Sequence, residues 1–330
     1  MQIGLRSRGR MAHVSNWGTD MLAFAGSGLE RAAELRGQSD TLWASGEVKV
    51  LVFWQGKPLL NADGVEFVSA THPVLQIADD KPIYLGHEDG VHLFAADISK
   101  WQPDDLSDEV GQFVDPSLQR HPGLPDRAAF GELRQNMTML SARDAELIAT
   151  AKAILEWHRS HRFCSKCGTK SELAMGGWER QCPACDAKHF PRTDPVVIML
   201  ITHGNNVLVG RSHYWPDGMY SLLAGFVEPG ETIEAAVRRE VQEESGVRVG
   251  DVNYIACQPW PFPNSLMIGC RGEALSDQIV IDPIEIEDAL WVSREEIALS
   301  FTGEHPKIKP ARNGSIAHFL LQLWLADKIE

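Results

Sequence analysis

The stretch GFVEPGETIEAAVRREVQEESGV, residues 225–247, carries six carboxylates in 23 residues: Glu228, Glu231, Glu234, Glu240, Glu243 and Glu244. The Pro229-Gly230 pair marks a turn, after which Ile233, Ala236, Val237 and Val241 recur at helical spacing. Gly246 stands where a glycine closes a helix. The pattern predicts a loop feeding a helix over 232–245. At ~100° per residue, with Ile233 at zero, Glu240 and Glu244 fall within about 20° of that line, among Ala236 and Val237. Two carboxylates one turn apart on an apolar stripe repel each other and resist leaving water. A cation between them answers both costs, and Mg²⁺ takes oxygen ligands of this kind together with substrate phosphates. Arg239 and Glu243 lie beside the stripe, placed to orient or supplement it. The plain alternative is an acidic helix in solvent, its glutamates paired with Arg238, Arg239 and Arg248.

Upstream stand Cys164-x-x-Cys167 and Cys182-x-x-Cys185, with 14 residues between the pairs. Each pair lies beside a turn residue, Gly168 or Pro183, as in the knuckles of a zinc ribbon. Four thiolates suit one tetrahedral zinc and leave no open position for catalysis, so the site is structural. Disulfides are the competing account, disfavoured in a reducing compartment. Cys257 and Cys270 fall in strand-like segments and read as packed thiols.

The remainder is that of a globular protein of two or three domains: 330 residues, 44% hydrophobic and 23% charged. A net charge of −14 argues against non-specific nucleic-acid binding, which needs a basic footprint. No apolar run approaches the roughly 18 residues that span a bilayer, so no membrane partner is expected. The first residues, with Arg6, Arg8 and Arg10, lack the apolar core of a signal peptide. Met11 is an alternative start, a transit role has little support, and Lys328-Ile329-Glu330 is not the peroxisomal tripeptide. Cytoplasm is the default location.

Residues 20–130 read as strands and turns without a catalytic cluster. Val48, Val50 and Val52 alternate before a turn at 55–58, and the apolar runs 83–85 and 91–94 flank a hairpin turn at 86–90. His72, His87 and His92 lack ligand spacing and read as ordinary surface or edge histidines. The Asp-, Pro- and Gly-rich segment 103–125 reads as a connection. Ser141 with Asp144 resembles a capping box before Leu147, Ala151, Ile154 and Leu155, so a helix is expected to deliver the chain to Cys164. Residues 196–201, VVIMLI, read as a buried strand turned at 204–206 into a hairpin. The expected domains are 1–130, 131–191 with the ribbon, and 192–330.

A second informative stretch is QPWPFPNS: Gln258, Pro259, Trp260, Pro261, Phe262, Pro263, Asn264 and Ser265. Three prolines in five residues forbid helix and predict a stiff loop that presents Trp260 and Phe262 at low conformational cost. Such a loop suits a flat heterocycle and ribose hydroxyls, or it caps a core.

Gly225, five residues, Glu231, seven residues and then the run REVQEESGV, 239–247, is similar to the Nudix signature at each defining position. With the four-cysteine ribbon before it and QPWPFPNS after it, the chain from about Phe163 onward resembles the NADH pyrophosphatase subfamily of Nudix hydrolases. The leading domain resembles that subfamily's variable N-terminal domain. The resemblance implies a mixed α+β or α/β chain: a Nudix α/β/α sandwich preceded by a four-cysteine zinc ribbon and an N-terminal mixed α/β domain. It implies hydrolysis of the diphosphate of NAD⁺ or NADH to nicotinamide mononucleotide and AMP, and removal of NAD caps from RNA 5′ ends. It implies Mg²⁺ or Mn²⁺ at Glu240, Glu243, Glu244, Glu285 and the Ala224 carbonyl, one zinc per chain, and a homodimer. Substrate contacts carried over are Phe190, Phe226, residues 258–265 and Ala317, with Arg134 as a further candidate. Arg239 orients the glutamates, and Glu243 or Glu244 takes the proton from the attacking water. Other readings are a Nudix enzyme for ADP-ribose or dinucleoside polyphosphates, and a zinc-ribbon binding module without activity.

Overall fold

The computed structural model describes residues 22–106, 110–112 and 115–329, and among them the chain forms three sheets. Arg6, Arg8, Arg10, Met11 and Glu330, weighed above for targeting, lie outside the described residues. Among the described residues no helix is long and apolar enough to cross a membrane.

After helix α1 (Ser39–Ser45), the first sheet is built from β1 (Val48–Trp54), β2 (Lys57–Asn61), β3 (Gly64–Val65), β4 (Phe67–Ser69), β5 (Ile83–Glu88), β6 (Val91–Asp97) and β7 (Ala129–Phe130). The hairpin turns are tighter than expected. They comprise Gln55-Gly56 and Asp89-Gly90, with positive φ at all four residues, the left-handed geometry that matches strand twist. Lys57 and Pro58 therefore belong to β2, opposite Trp54 and Phe53.

Next come α2 (Leu133–Asn136) and α3 (Ala142–Ser160). Ser141 caps α3 by accepting from the Asp144 N–H at 3.1 Å. Leu147, Ile148, Ala151 and Ile154 of α3 pack on Leu51, Phe53, Ile83 and Leu85. This helix thus completes the core of the first domain, and the boundary expected at 130/131 divides what the structure keeps together. The reason is its apolar face, which is buried in the first domain's core, with Leu173 and Trp178 of the ribbon at that core's margin.

The ribbon sheet is β8 (Glu172–Ala174), β9 (Glu179–Gln181) and β10 (Lys188–His189). Its two knuckles share one hydrogen-bond pattern: Gly168 N–H donates to Cys164 O, and Asp186 N–H to Cys182 O. Both donors have positive φ, 76° and 55°. Sulfur separations are 3.7 Å for Cys164–Cys185 and 3.4 Å for Cys167–Cys182. Zn–S bonds of about 2.3 Å imply tetrahedral edges of about 3.8 Å, close to these spacings. A buried link fastens the ribbon to α3. Arg180, 1% exposed, donates to the Ser171 hydroxyl and carbonyl and to His158 Nδ1. Burial pushes His158 down to about 4, so its neutral ring accepts from Arg180 and donates from Nε2 to Gly177 O.

The third sheet comprises β11 (Asp194–His203), β12 (Asn206–Arg211), β13 (Leu223–Phe226), β14 (Val249–Trp260), β15 (Ser265–Ala274) and β16 (Asp288–Ser293). Helix α4 (Ile233–Ser245) covers one face, and α5 (Arg294–Thr302) and α6 (Ile316–Leu325) lie on the other. Alternation along β11 explains its uniform apolarity. Val197, Met199 and Ile201 pack towards α4, while Ile198 and Leu200 pack towards α6. Pro259 and Trp260 are strand residues of β14, paired with Leu266 and Ser265, rather than loop residues. β14 is the edge strand, where a proline costs no ladder bond. Cys270 is buried as expected, but Cys257 is exposed on that same edge.

The first and third sheets share one topology. Strands β7-β2-β1-β6-β5 stand in the order of β16-β12-β11-β15-β14, each set with a single parallel pair, β1 with β6 and β11 with β15, while β3, hairpinned to β2, has no counterpart in the third sheet. In each, a further strand, β4 or β13, joins the central one. Between β13 and β14 stands α4; between β4 and β5 stands only the one-turn helix Pro73–Ile77.

Four thiols at tetrahedral spacing should give one zinc per chain by elemental analysis. A Cys164→Ser/Cys167→Ser variant should lose stability on the order of several kcal/mol or fail to stay soluble. Zinc-free reduced protein with unchanged thermal unfolding contradicts this.

Candidate active site

Strand β13 enters the site and α4 holds it. Thr232 caps α4 by accepting from the Ala235 N–H at 3.2 Å, and Gly246 closes it with φ 71°. Glu240 and Glu244 lie on its sheet-facing side, each 9% exposed. Glu285, from the segment between β15 and β16, joins them. The three carboxylates bring oxygens within 4.8 Å of one another.

Close packing around this cluster dictates the glycine at 225. A Cβ there would lie 1.9–2.2 Å from the Glu240 carboxylate, so any side chain displaces that group. Arg239 fixes the other side. Its guanidinium grips Glu231 through two bonds of 2.7 and 2.9 Å, and donates to Glu240, Glu243 and Phe226 O at 2.9 Å each. The Arg239 pairing pulls Glu231 down to about 2. Glu240 is raised by burial, against the opposing pull of Arg239. Glu244 has no such partner. Burial first, then Glu240, Glu285 and Glu243, push it up to about 8, and its Oε2 is buried without a hydrogen-bond partner. An orphaned buried carboxylate oxygen beside two further carboxylates fits a hard divalent cation. Glu243 is not in this cluster: its side chain is 53% exposed and turned to Arg239.

Beside the cluster opens a cavity of about 570 Å³. Ala224, next to Gly225, is on its wall with Gln258, Trp260 and Ala317. The other expected contacts fall elsewhere. Phe190 and Phe226 are 63% and 60% exposed and stand outside the cavity. Pro259, Pro261, Asn264 and Ser265 line a second cavity, of about 350 Å³, behind Trp260. Phe262 packs into the first domain's core, with the Arg134 guanidinium 4.2 Å from its ring centre; Pro263 follows it through a cis peptide bond. Gln258 is fully buried and serves architecture. Its Nε2 donates to Ala23 O and Gly314 O, and its Oε1 accepts from the Ile316 N–H, all at 2.8 Å. That last bond satisfies a donor at the start of α6, the helix that carries Ala317.

Sequence reasoning missed Trp215, Tyr220, Lys309 and Arg312, which complete the cavity wall. The available signals were an aromatic before the Pro216-Asp217-Gly218 turn and three cations within 307–312.

Comparison with known proteins follows this division. Family models match residues 47–157 (NADH pyrophosphatase-like rudimentary NUDIX domain), 159–190 (NADH pyrophosphatase zinc ribbon domain) and 191–313 (NUDIX domain). The first accounts for the repeated sheet topology, and the second accords with a structural zinc on the four thiols. NAD-capped RNA hydrolase NUDT12 of Homo sapiens is 40% identical over 267 residues, covering 74% of this chain and 56% of its own length. The chain therefore spans about half of that relative. NAD-capped RNA hydrolase NudC of Stutzerimonas stutzeri (strain A1501) is 39% identical, covering 74% of this chain and 78% of its own. NAD(P)H pyrophosphatase NUDT13, mitochondrial, of Homo sapiens is 33% identical with 81% coverage of both chains.

Two outcomes follow from the cluster. A carboxyl raised from 4.5 to about 8 keeps, in the folded protein, a proton that the unfolded chain has released. Stability is therefore lost as pH rises between those values. In zinc-loaded protein without added Mg²⁺ or Mn²⁺, Glu244→Gln should raise Tm over wild type by a margin that widens from about pH 5 to about pH 8 and then levels; a constant margin is the contrary result. Gly225→Ala should weaken Mn²⁺ binding at least roughly tenfold, by paramagnetic resonance titration, with unchanged circular dichroism. Unchanged affinity contradicts the packing argument.

Proposed function

This chain belongs to the NADH pyrophosphatase family of Nudix hydrolases, and on that premise we propose that it hydrolyses the diphosphate of NAD(H) to nicotinamide mononucleotide and AMP. The observation that carries the reading is the mutually repelling Glu240–Glu244–Glu285 cluster, with Glu240 and Glu244 nearly buried, beside a cavity of about 570 Å³.

Glu240, Glu244 and Glu285, with the Ala224 carbonyl, would hold Mg²⁺ or Mn²⁺. When bound, a cation of this class offsets charge on phosphate oxygens and makes water more acidic. The protein's own part is positioning and charge. Trp260, Tyr220 and the α6 residues Ile316 and Ala317 give the cavity apolar walls for a base and ribose, while Arg134, Lys309 and Arg312 supply positive charge towards the phosphates. Arg239 sets the rotamers of Glu240 and Glu243. Glu243, outside the cluster and tied at one oxygen to Arg239, is the carboxylate assigned to take the proton as water attacks phosphorus and the P–O–P bridge breaks.

NAD-capped RNA presents the same bond, and relatives named for that substrate support its inclusion. The net charge of −14 speaks for recognition of the capped end and not of the RNA body. We also propose a homodimer, in which a second copy would cover the exposed rings of Phe190 and Phe226. A reducing compartment, the cytoplasm, suits the four ribbon thiols, which are among the six free cysteines.

With Mg²⁺ or Mn²⁺, kcat/KM for NADH should exceed that for ADP-ribose and diadenosine polyphosphates. Glu244→Gln should lower kcat by roughly two to three orders of magnitude. Near-normal turnover by the variant, or equal rates on all substrates, overturns the reading.

A further inference from the structure

The segment that carries Glu285 is clasped to one wall of the substrate cavity. Asp282 accepts from Glu285 and Ile286 N–H groups at 3.2 and 3.1 Å, folding 282–286 into a tight turn, and Asp282 N–H reaches Glu244 O at 3.2 Å. Ile286 is buried, whereas Ile284 beside Glu285 is exposed, so little packing fixes the turn. Further restraints come from residues 211–220. Arg211, at the end of β12, donates from Nε to Glu287 at 2.8 Å and from a terminal nitrogen to Trp215 O at 3.1 Å. Glu287 N–H donates back to Arg211 O at 2.9 Å. His213 Nε2 lies 2.9 Å from Pro283 O, and Tyr220 donates to Asp288 at 2.7 Å. Trp215 and Tyr220 both line the cavity. Each side of Glu285 is thus bonded to a residue in, or next to, the cavity wall.

We propose that Arg211, assisted by His213, is a positioning residue that couples cavity occupancy to the placement of Glu285. A nucleoside against Trp215 and Tyr220 orders the 212–222 loop. Through the Arg211 fork and the His213 bond, that order is passed to the Glu285 turn, and the carboxylate cluster closes. Arg211 suits this task because its planar fork makes two bonds in fixed relative directions, to Glu287 and to Trp215 O. The coupling is reciprocal: the cation and the nucleoside each tighten the other. It follows that the diphosphate is engaged by a complete cluster only when the cavity is filled, which favours dinucleotides over substrates with a single small arm.

This inference rests on the proposed metal site and is tested apart from turnover. Adenosine and nicotinamide riboside carry no phosphate and so cannot bring ligands of that kind to the cation. Mn²⁺ affinity of the full, zinc-loaded chain is measured by paramagnetic resonance with and without each nucleoside. At least one nucleoside should tighten Mn²⁺ roughly fivefold or more in wild type. Arg211→Ala should abolish that enhancement, Arg211→Lys should restore part of it, and His213→Ala, at an exposed position that leaves folding intact, should reduce it. Equal Mn²⁺ affinity with and without both nucleosides in wild type overturns the coupling, as does full enhancement in Arg211→Ala or His213→Ala. Either result leaves the hydrolase reading standing if wild-type NADH turnover persists, whereas absent turnover with intact coupling removes that reading alone.

Discussion

Repulsion between Glu240, Glu244 and Glu285 is the constraint around which the C-terminal domain is arranged. Three carboxylates within 4.8 Å, two of them nearly buried, are unfavourable unless something holds them there. The holding forces are visible. The apolar face of α4 is locked against β11 and β15 through Ala236, Val237 and Val241. Gly225 leaves the space that the Glu240 carboxylate occupies, and Arg239 spreads its charge over three glutamates. Glu244 receives none of that relief, and burial beside Glu240, Glu285 and Glu243 pushes its carboxyl pKa up. A fold that maintains such a cluster against its own electrostatics is preorganised for a cation.

The first domain repeats the third sheet's topology without the acidic helix. Where α4 would stand there is only the turn Pro73–Ile77, which carries no carboxylate. Its contribution is mechanical. Phe24 makes edge contacts with Trp260 and Phe262, and Ala23 O accepts from Gln258. The substrate strand and the start of α6 are thereby set by residues from the opposite end of the chain. The ribbon joins this assembly through Arg180 and His158, a charged group satisfied without any carboxylate.

Much of the site was legible because it is local. The span of α4, its closing glycine and its stripe follow from spacing within some twenty residues, and the four cysteines follow from theirs. What the sequence hid is long-range. Nothing in 48–130 advertises a second copy of the same strand order, since topology leaves no periodic trace. The proline-rich octapeptide read as a loop that either presents its aromatics or caps a core; Phe262 takes the second role, and Gln258 is consumed by three architectural bonds. Glu243 matched the signature as well as its neighbours did, but about 100° of helical rotation separates it from Glu244. Lys309, Arg312 and Tyr220 carry no motif; only folding brings them to one wall.

Hydrolysis of NADH in ¹⁸O-labelled water, followed by mass spectrometry, tests the central claim most directly. The account predicts metal-dependent release of AMP and reduced nicotinamide mononucleotide in equal amounts, with one ¹⁸O on the phosphate of one product. Release of nicotinamide with intact ADP-ribose, or no release at all with Mg²⁺ and Mn²⁺ present, would contradict it.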